Sequence, residues 1–441
     1  MKIQLPEKVQ KIIDTLEKAG YEAYAVGGCV RDSILGRTPD DWDITTSAKP
    51  EECKSLFPRT VDTGIKHGTV TVLLGGEGFE VTTYRIDGVY EDGRHPSEVT
   101  FTANLKEDLR RRDFTINAMA YNARSGLIDI YGGMQDIEDQ MIRCVGNAKE
   151  RFEEDALRML RAVRFSAQLG YRIDGDTGAA VKAMAGNLQK ISAERIQVEL
   201  VKLTVSPHPD YLRKAYELGI TAQILPEFDL CMETPQRHKH HCYNVGEHIL
   251  HSMLGVKPDK VLRLGMLFHD IGKPQTLTVD ADGTTHNKKH PLEGEKITRK
   301  VMRRLKFDND TTDKVTKLVL YHDYDIAPTE AGVRRAVNRI GEDIFPMIFE
   351  VRRADIEAQS NYMREEKLEK VAYIEKIYQE VLNRRDAVTL KDLAISGSDL
   401  IAEGMSPGRQ IGEILAALLD KVLDDPSLNT REILLKLSKE L

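Results

Sequence analysis

At 441 residues the chain is too long for one ordinary core, so two to four domains are expected. A 41% hydrophobic and 30% charged composition, with no apolar run long enough to cross a bilayer, is that of a soluble globular protein and excludes a helical membrane protein. Lys plus Arg number 63 against 70 Asp plus Glu, a net charge of −7 with no general polybasic signature, and five cysteines without a C-x-x-C pair imply neither a disulfide framework nor a zinc ribbon.

Residues 7–19 carry Val9, Ile12, Ile13 and Leu16 at helical spacing, which predicts a helix packed beside a strand at Tyr24 to Val26. The preceding Met1-Lys2-Ile3-Gln4-Leu5-Pro6 lacks the apolar core of a signal peptide, so a cytoplasmic location is expected. Ala25-Val26-Gly27-Gly28-Cys29-Val30-Arg31-Asp32 reads as strand, glycine turn and short helix, and Asp41-Trp42-Asp43-Ile44 as a second strand bearing two carboxylates. Alternation along a strand puts Asp41 and Asp43 on one face with Cα atoms about 6–7 Å apart, where they can share a pair of Mg²⁺ ions for in-line nucleotidyl transfer. The glycines let backbone approach a triphosphate, and Arg31 can grip it as a planar fork.

Lys49-Pro50-Glu51-Glu52 starts another helix. Thr69 to Leu74 and Phe79 to Tyr84, separated by a Gly-Gly-Glu-Gly turn, read as a hairpin. Glu80 is either a third acid for the metal site or an exposed strand charge, and Asp87 to Pro96 has loop chemistry. In Leu109-Arg110-Arg111-Arg112-Asp113-Phe114-Thr115-Ile116-Asn117-Ala118, three arginines can neutralise a triphosphate. Asp113 and Asn117, at i and i+4 of a helical turn, can hold a ribose hydroxyl.

The segment Glu154-Asp155-Ala156-Leu157-Arg158-Met159-Leu160-Arg161-Ala162-Val163-Arg164-Phe165 predicts a helix with Ala156, Leu160, Val163 and Ala167 buried and its acid and arginine tips free. An Asp accepts from the exocyclic amino group shared by C and A, an Arg donates to ring acceptors, and U and G present the wrong polarity. On residues alone, Asp155 and Arg158 fit equally an ordinary helical ion pair. Residues 191–200 predict a further helix with Ser192 as N-cap.

These segments resemble the motifs of class II tRNA nucleotidyltransferases, the CCA-adding enzymes, and of the related bacterial poly(A) polymerases. Gly27 to Gly36 with Asp41 and Asp43 resembles motif A, and Arg111-Arg112-Asp113 to Asn117-Ala118 motif B. Leu127 to Gly133 with Asp136-Ile137 resembles motif C, a hinge between head and neck; Glu154-Asp155 with Arg158 resembles motif D, and Ile191 to Leu200 motif E, which braces the neck. The resemblance implies that Asp41 and Asp43 hold Mg²⁺, that Gly28, Arg31 and Arg112 hold the triphosphate, and that Asp155 and Arg158 read the incoming base. Arg161 and Arg164 would belong to the nucleotide pocket, and Asp113 and Asn117 to the ribose. The loop from Arg85 to Pro96 corresponds to one absent from enzymes that add only C, which argues against such an enzyme.

Seven of the twelve histidines lie between His238 and His286. Imidazoles and carboxylates suit a divalent transition metal, and His248, His269-Asp270 and Asp355 resemble the ligand pattern of the HD phosphohydrolase superfamily, with His290 and His322 as additional ligands. The basic run Lys288 to Lys306 is either a solvated helix face or an RNA contact. Residues 395–422, including Gly408 and Arg409, resemble the tRNA-contacting tail of the same enzymes.

The expected fold is α+β: a nucleotidyltransferase head over 1–145 with a mixed sheet, then all-α neck (146–205), HD body (206–345) and tail (346–441). The expected function is addition of C, C and A to the tRNA 3′ end from CTP and ATP. Alternatives are an A-adding enzyme, a poly(A) polymerase, or an HD phosphohydrolase whose head only binds RNA.

Overall fold

The computed structural model describes residues 2–87 and 99–441, so the loop segment 88–98 lies outside the described residues. The chain forms two compact units, Met1–Pro226 and Glu227–Leu441. Among the described residues no helix is long and apolar enough to cross a membrane.

The first unit opens with α1 (Glu7–Lys18), which buries Val9, Ile12, Ile13 and Leu16 as its periodicity requires. Strands β1 (Ala23–Val26), β2 (Ile44–Thr46), β3 (Thr60–Gly64), β4 (Thr69–Leu74) and β5 (Glu77–Thr83) follow, with α2 (Gly28–Ile34) and α3 (Pro50–Leu56) between them. A short antiparallel pair, β6 (Arg85–Asp87) and β7 (Val99–Phe101), precedes α4 (Leu105–Arg110), β8 (Met119–Asn122) and β9 (Gly126–Asp129). Seven strands form one mixed sheet in the order β3-β4-β5-β2-β1-β8-β9, with β2 and β5 parallel and the other neighbours antiparallel. The β4–β5 turn is tighter than the sequence suggested. Gly75 and Gly76, both at positive φ, complete it, and Glu77 and Gly78 already pair across the ladder.

All-helical chain follows: α5 (Gly133–Glu138), α6 (Ala148–Glu154), α7 (Leu157–Leu169), α8 (Gly175–Met184) and α9 (Ala193–Thr204), apart from the two-residue pair Met141–Ile142 and Arg172–Ile173. The motif C segment is packed tightly. A Cβ on Gly133 would lie 2.4 Å from the Thr115 carbonyl oxygen, and Asp136 accepts from Thr115 Oγ1 at 2.6 Å.

The second unit is helical but for the two-residue hairpin Thr278–Val279 and Thr285–His286. Helices Val245–Leu254, Lys260–Phe268, His290–Arg304, Asn309–Tyr321 and Phe345–Glu357 surround a His/Asp cluster. In the basic run, Arg299 pairs with Glu295 and Asp313, Arg304 with Glu227 and Lys296 with Glu293, so much of its charge is neutralised. The end of the chain has its own small core, in which Leu400, Leu418, Val422 and Leu434 are fully buried, and Arg409 stands exposed beside Glu413.

Candidate functional site

The glycine turn after β1 is dictated by its backbone. Gly27 has φ +85°, and a Cβ there would meet Arg112 Nη1 at 3.0 Å, so only glycine lets that guanidinium lie against the turn. Asp41 to Asp43 form a lead-in rather than part of the strand, since β2 begins at Ile44. The Asp43 carbonyl still accepts from Val26 N at 3.0 Å, which anchors the two carboxylates at the end of the sheet. Asp41 and Asp43 are exposed. Partial loss of water raises the Asp43 carboxyl; Arg112 opposes the rise and Asp41 adds to it. Glu80 is also raised, by desolvation first and then by Asp43 and Asp41, which places it in the same acidic cluster. Crowded anions of this kind are a donor set suited to divalent cations.

Arg112, whose Nη2 lies 3.7 Å from Asp108, carries a buried Nε without a hydrogen-bond partner among the described residues, beside both the glycine turn and Asp43. That orphaned donor fits a phosphate oxygen. The three arginines do not act together as the sequence suggested: Arg111 is spent on Asp108 through two bonds of 3.0 and 2.8 Å, and Arg110 points to solvent near Glu107. Nor do they start a helix, because α4 ends at Arg110 and only the 3₁₀ turn Thr115–Asn117 follows.

That turn organises a network. Asn117 accepts from Arg31 Nη1 at 2.6 Å and donates to Asp113 at 3.2 Å, while Arg31 also forks onto Asp32. Asp113 accepts from Arg161 Nε at 2.8 Å and Nη2 at 2.6 Å. Arg161 and Arg164 both reach Glu199, and Arg31, Arg161 and Arg164 all lie over the Phe165 ring. Burial works against the Asp113 charge, but Arg161 and Arg158 outweigh it and hold the carboxyl well below its usual range. Asp113→Asn is therefore expected to cost roughly 1–3 kcal/mol, because Arg161 loses its two bonds to Asp113 and keeps only Glu199 at 3.5 Å. The pair's stabilisation is complete above the unfolded carboxylate value of about 3.9 and is lost as pH falls below it, so the variant should flatten the acid limb of a thermal-unfolding pH series.

The expected single helix over 154–165 is broken. Asp155 takes an extended conformation after α6, and its Oδ1 accepts from Leu157 N at 3.0 Å to start α7. The tips are not free either. Asp155 receives Arg195 Nη1 and Nη2 at 3.2 and 2.7 Å, and Arg158 donates to Glu154, Arg151 O and Arg111 O. Ala156, Leu160, Val163 and Ala167 are buried as expected, but so is most of α7 around them. Arg195 and Glu199, which were read as bracing only, thus hold the tips of Asp155 and Arg164. Ser192 sits at the N-cap of α9 without a capping side-chain bond.

In the second unit His248, His269, Asp270 and Asp355 converge, and His290 and His322 join them. His248 Nε2 lies 2.9 Å from Asp355 Oδ1 and 3.2 Å from His269 Nε2, and His290 Nε2 lies 3.2 Å from His322 Nε2. Asp270 spans the two histidine pairs, with Oδ2 3.4 Å from His248 and His269 and Oδ1 3.3 Å from His290. The Nδ1 atoms of His248, His269, His290 and His322 face the carbonyl oxygens of Ala358, Met266, Asn287 and Val319 at 2.7–3.3 Å. A carbonyl only accepts, so each Nδ1 donates to its backbone oxygen and the four Nε2 atoms turn inward toward the Asp270 and Asp355 carboxylates, which, against burial, hold the His269 imidazole above its ordinary pKa. Imidazole nitrogens and carboxylate oxygens that converge this closely, with each ring oriented by a backbone carbonyl, are a donor set that fits a divalent metal. Burial opposes the Asp270 charge, but Lys273 and His269 hold its carboxyl well below the ordinary range.

The profile of the Poly A polymerase head domain matches residues 23–143, that of an RNA and SrmB-binding site of polymerase A residues 170–232, and that of tRNA nucleotidyltransferase domain 2 residues 292–437. The chain is 36% identical over 450 residues to the CCA-adding enzyme of Lactobacillus helveticus, covering 98% of this chain and 97% of that protein. It is 34% identical over 441 residues to that of Limosilactobacillus fermentum, covering 99% and 97%. The structure of the Bacillus stearothermophilus CCA-adding enzyme in complex with CTP superposes with a TM-score of 0.76 and 30% identity, covering 99% of this chain and 98% of that one.

Proposed function

This chain belongs to the CCA-adding enzymes, and from that membership we propose that its head adds C, C and A to the 3′ end of tRNA from CTP and ATP without a nucleic-acid template. The observation that carries the reading is the Arg112 guanidinium, with its buried Nε lacking a partner among the described residues, set between the glycine turn and the exposed Asp41–Asp43 pair. Asp41 and Asp43 would hold Mg²⁺, which when bound activates the terminal 3′-hydroxyl and steadies the leaving pyrophosphate. Gly28 and Arg112 receive the triphosphate, with Arg31 oriented toward it by Asn117 and Asp32. Asn117 keeps one amide N–H for a ribose hydroxyl beside Asp113. Asp155 and Arg158 read the base, and Arg161 and Arg164 shape the pocket around Phe165. An enzyme using tRNA and nucleoside triphosphates belongs in the cytoplasm.

The test is incorporation of labelled CTP and ATP, separately and together, on tRNA transcripts ending at the discriminator base, at C and at CC. Ordered addition of C, C and A with arrest afterwards is expected. Addition of A only to the CC-ending transcript would mean an A-adding enzyme, unarrested A addition a poly(A) polymerase, and no incorporation an RNA-binding head.

A second activity is favoured by the four inward-facing Nε2 atoms: metal-dependent hydrolysis of a phosphoester in the second unit. His248, His269, Asp270 and Asp355, with His290 and His322, would hold a divalent transition metal, which when bound polarises a phosphoryl oxygen. Elemental analysis after loading with Mn²⁺ should find bound metal, and His248→Ala should lose it by tenfold or more in affinity, about the scale of a lost ligand contact. Equal metal content in both proteins would remove this reading.

A further inference from the structure

The His/Asp cluster opens into a cavity of about 370 Å³ whose lining also includes Lys367, His240 and His241. Lys367 begins the long helix Arg364–Arg384, and its ammonium donates to Gln359 Oε1 at 2.7 Å and to His240 Nδ1 at 3.0 Å. Both partners are uncharged acceptors when His240 is neutral. The carboxylates of Asp355 and Asp323 attract the ammonium, yet among the described residues its bonds go to Gln359 and His240 and not to either carboxylate. The other lysine of the cavity differs: Lys273 Nζ is 2.6 Å from Asp270 and is neutralised there. His241, nearer His248 and Lys273, has a buried Nδ1 with no partner among the described residues.

The Lys367 wall of the cavity therefore presents one uncompensated cation, with one of its three N–H groups uncommitted. Gln359 ties that cation to the cluster, because its amide nitrogen donates to Asp355 Oδ1 at 3.1 Å while its carbonyl accepts from Lys367. A ligand that engages both walls has to be anionic toward Lys367 and rich in oxygens toward a metal. A phosphoryl dianion meets both demands, and a lone ammonium binds phosphate as a point charge.

We propose that Lys367 is the phosphate-gripping arm of the His/Asp cavity. The proposal rests on the metal-site reading of that cavity and assigns it the recognition of dianionic phosphomonoesters. Partial burial holds the Lys367 ammonium below its ordinary pKa, a desolvation that an incoming dianion offsets.

The experiment is calorimetric titration of inorganic phosphate into the full chain loaded with Mn²⁺, for the natural sequence, Lys367→Met and Lys367→Arg, with metal content measured on the same samples. Expected is unchanged metal content in all three, phosphate binding weakened by about tenfold or more in Lys367→Met, and recovery to within a few-fold in Lys367→Arg, the scale of one lost charge-assisted contact. Lys367→Met binding phosphate as tightly as the natural chain, with metal retained, overturns the proposal and leaves the metal site standing. No phosphate binding by the metal-loaded natural chain also overturns it. If the natural chain takes up no metal, the metal-site reading fails by itself, and phosphate affinity that does not depend on Lys367 in the metal-free chain overturns the proposal as well.

Discussion

Asp43→Asn is expected to lower CTP and ATP incorporation by roughly 10³-fold or more, because transition-state charge that a metal ion neutralises is worth several kcal/mol. Stability should move little. Asp41 and Asp43 are exposed and make no ion pair among the described residues, and Asp43 is held at a raised pKa by loss of water and by Asp41, against Arg112. Neutralising one member of a like-charged group relieves repulsion in the folded state, so the melting temperature should stay level or rise slightly. The same reasoning extends to Asp41→Ala, and to Glu80→Gln with a smaller loss, since Glu80 enters the cluster from the neighbouring strand. Any phosphomonoester hydrolysis by the second unit should persist in all three. Incorporation by Asp43→Asn within tenfold of the natural chain would take these carboxylates out of the mechanism.

Much of this site was legible because its signals are local. The apolar spacing of Val9, Ile12, Ile13 and Leu16 and the glycine turn each express their structure within a few residues, whereas Asp41 and Asp43, read as strand residues, form the lead-in to β2. The failures share a cause, which is partners distant in sequence. Arg110, Arg111 and Arg112 look equivalent in a row, yet only the fold decides that Arg110 faces solvent, that Arg111 is bonded to Asp108, and that Arg112 reaches past Asp108 to the glycine turn. The spacing over 154–165 fits an unbroken helix. The break at Asp155 needs its carboxylate to cap Leu157 and to receive Arg195 from forty residues away, although the N-cap preference of Asp was a local hint. The His/Asp pattern announced ligand types, but the backbone carbonyls that orient the histidine rings are visible only in three dimensions.

Arg195→Gln is expected to reduce discrimination for C and A against U and G by about 10- to 100-fold, the scale of one well-placed bidentate contact to a base. Both oxygens of Asp155 are committed in the structure, one to Leu157 N and Arg195 Nη1, the other to Arg195 Nη2. This grip leaves the carboxylate one orientation, and an exocyclic amino group has to approach along the lone pairs that remain. Without the guanidinium fork, Asp155 still caps α7 but can rotate, so an amino donor gains less and a carbonyl of U or G is repelled less. Arg195→Lys, which keeps the charge but not the fork, should fall between the two. The decisive readout is the ratio of correct to incorrect nucleotide on a CC-ending transcript, each measured as kcat/KM. A general loosening of the neck would lower all four nucleotides together and leave that ratio unchanged, and such a result would reduce Arg195 to a brace. A falling ratio at a nearly constant rate for ATP would make it the residue that aims the base-reading carboxylate.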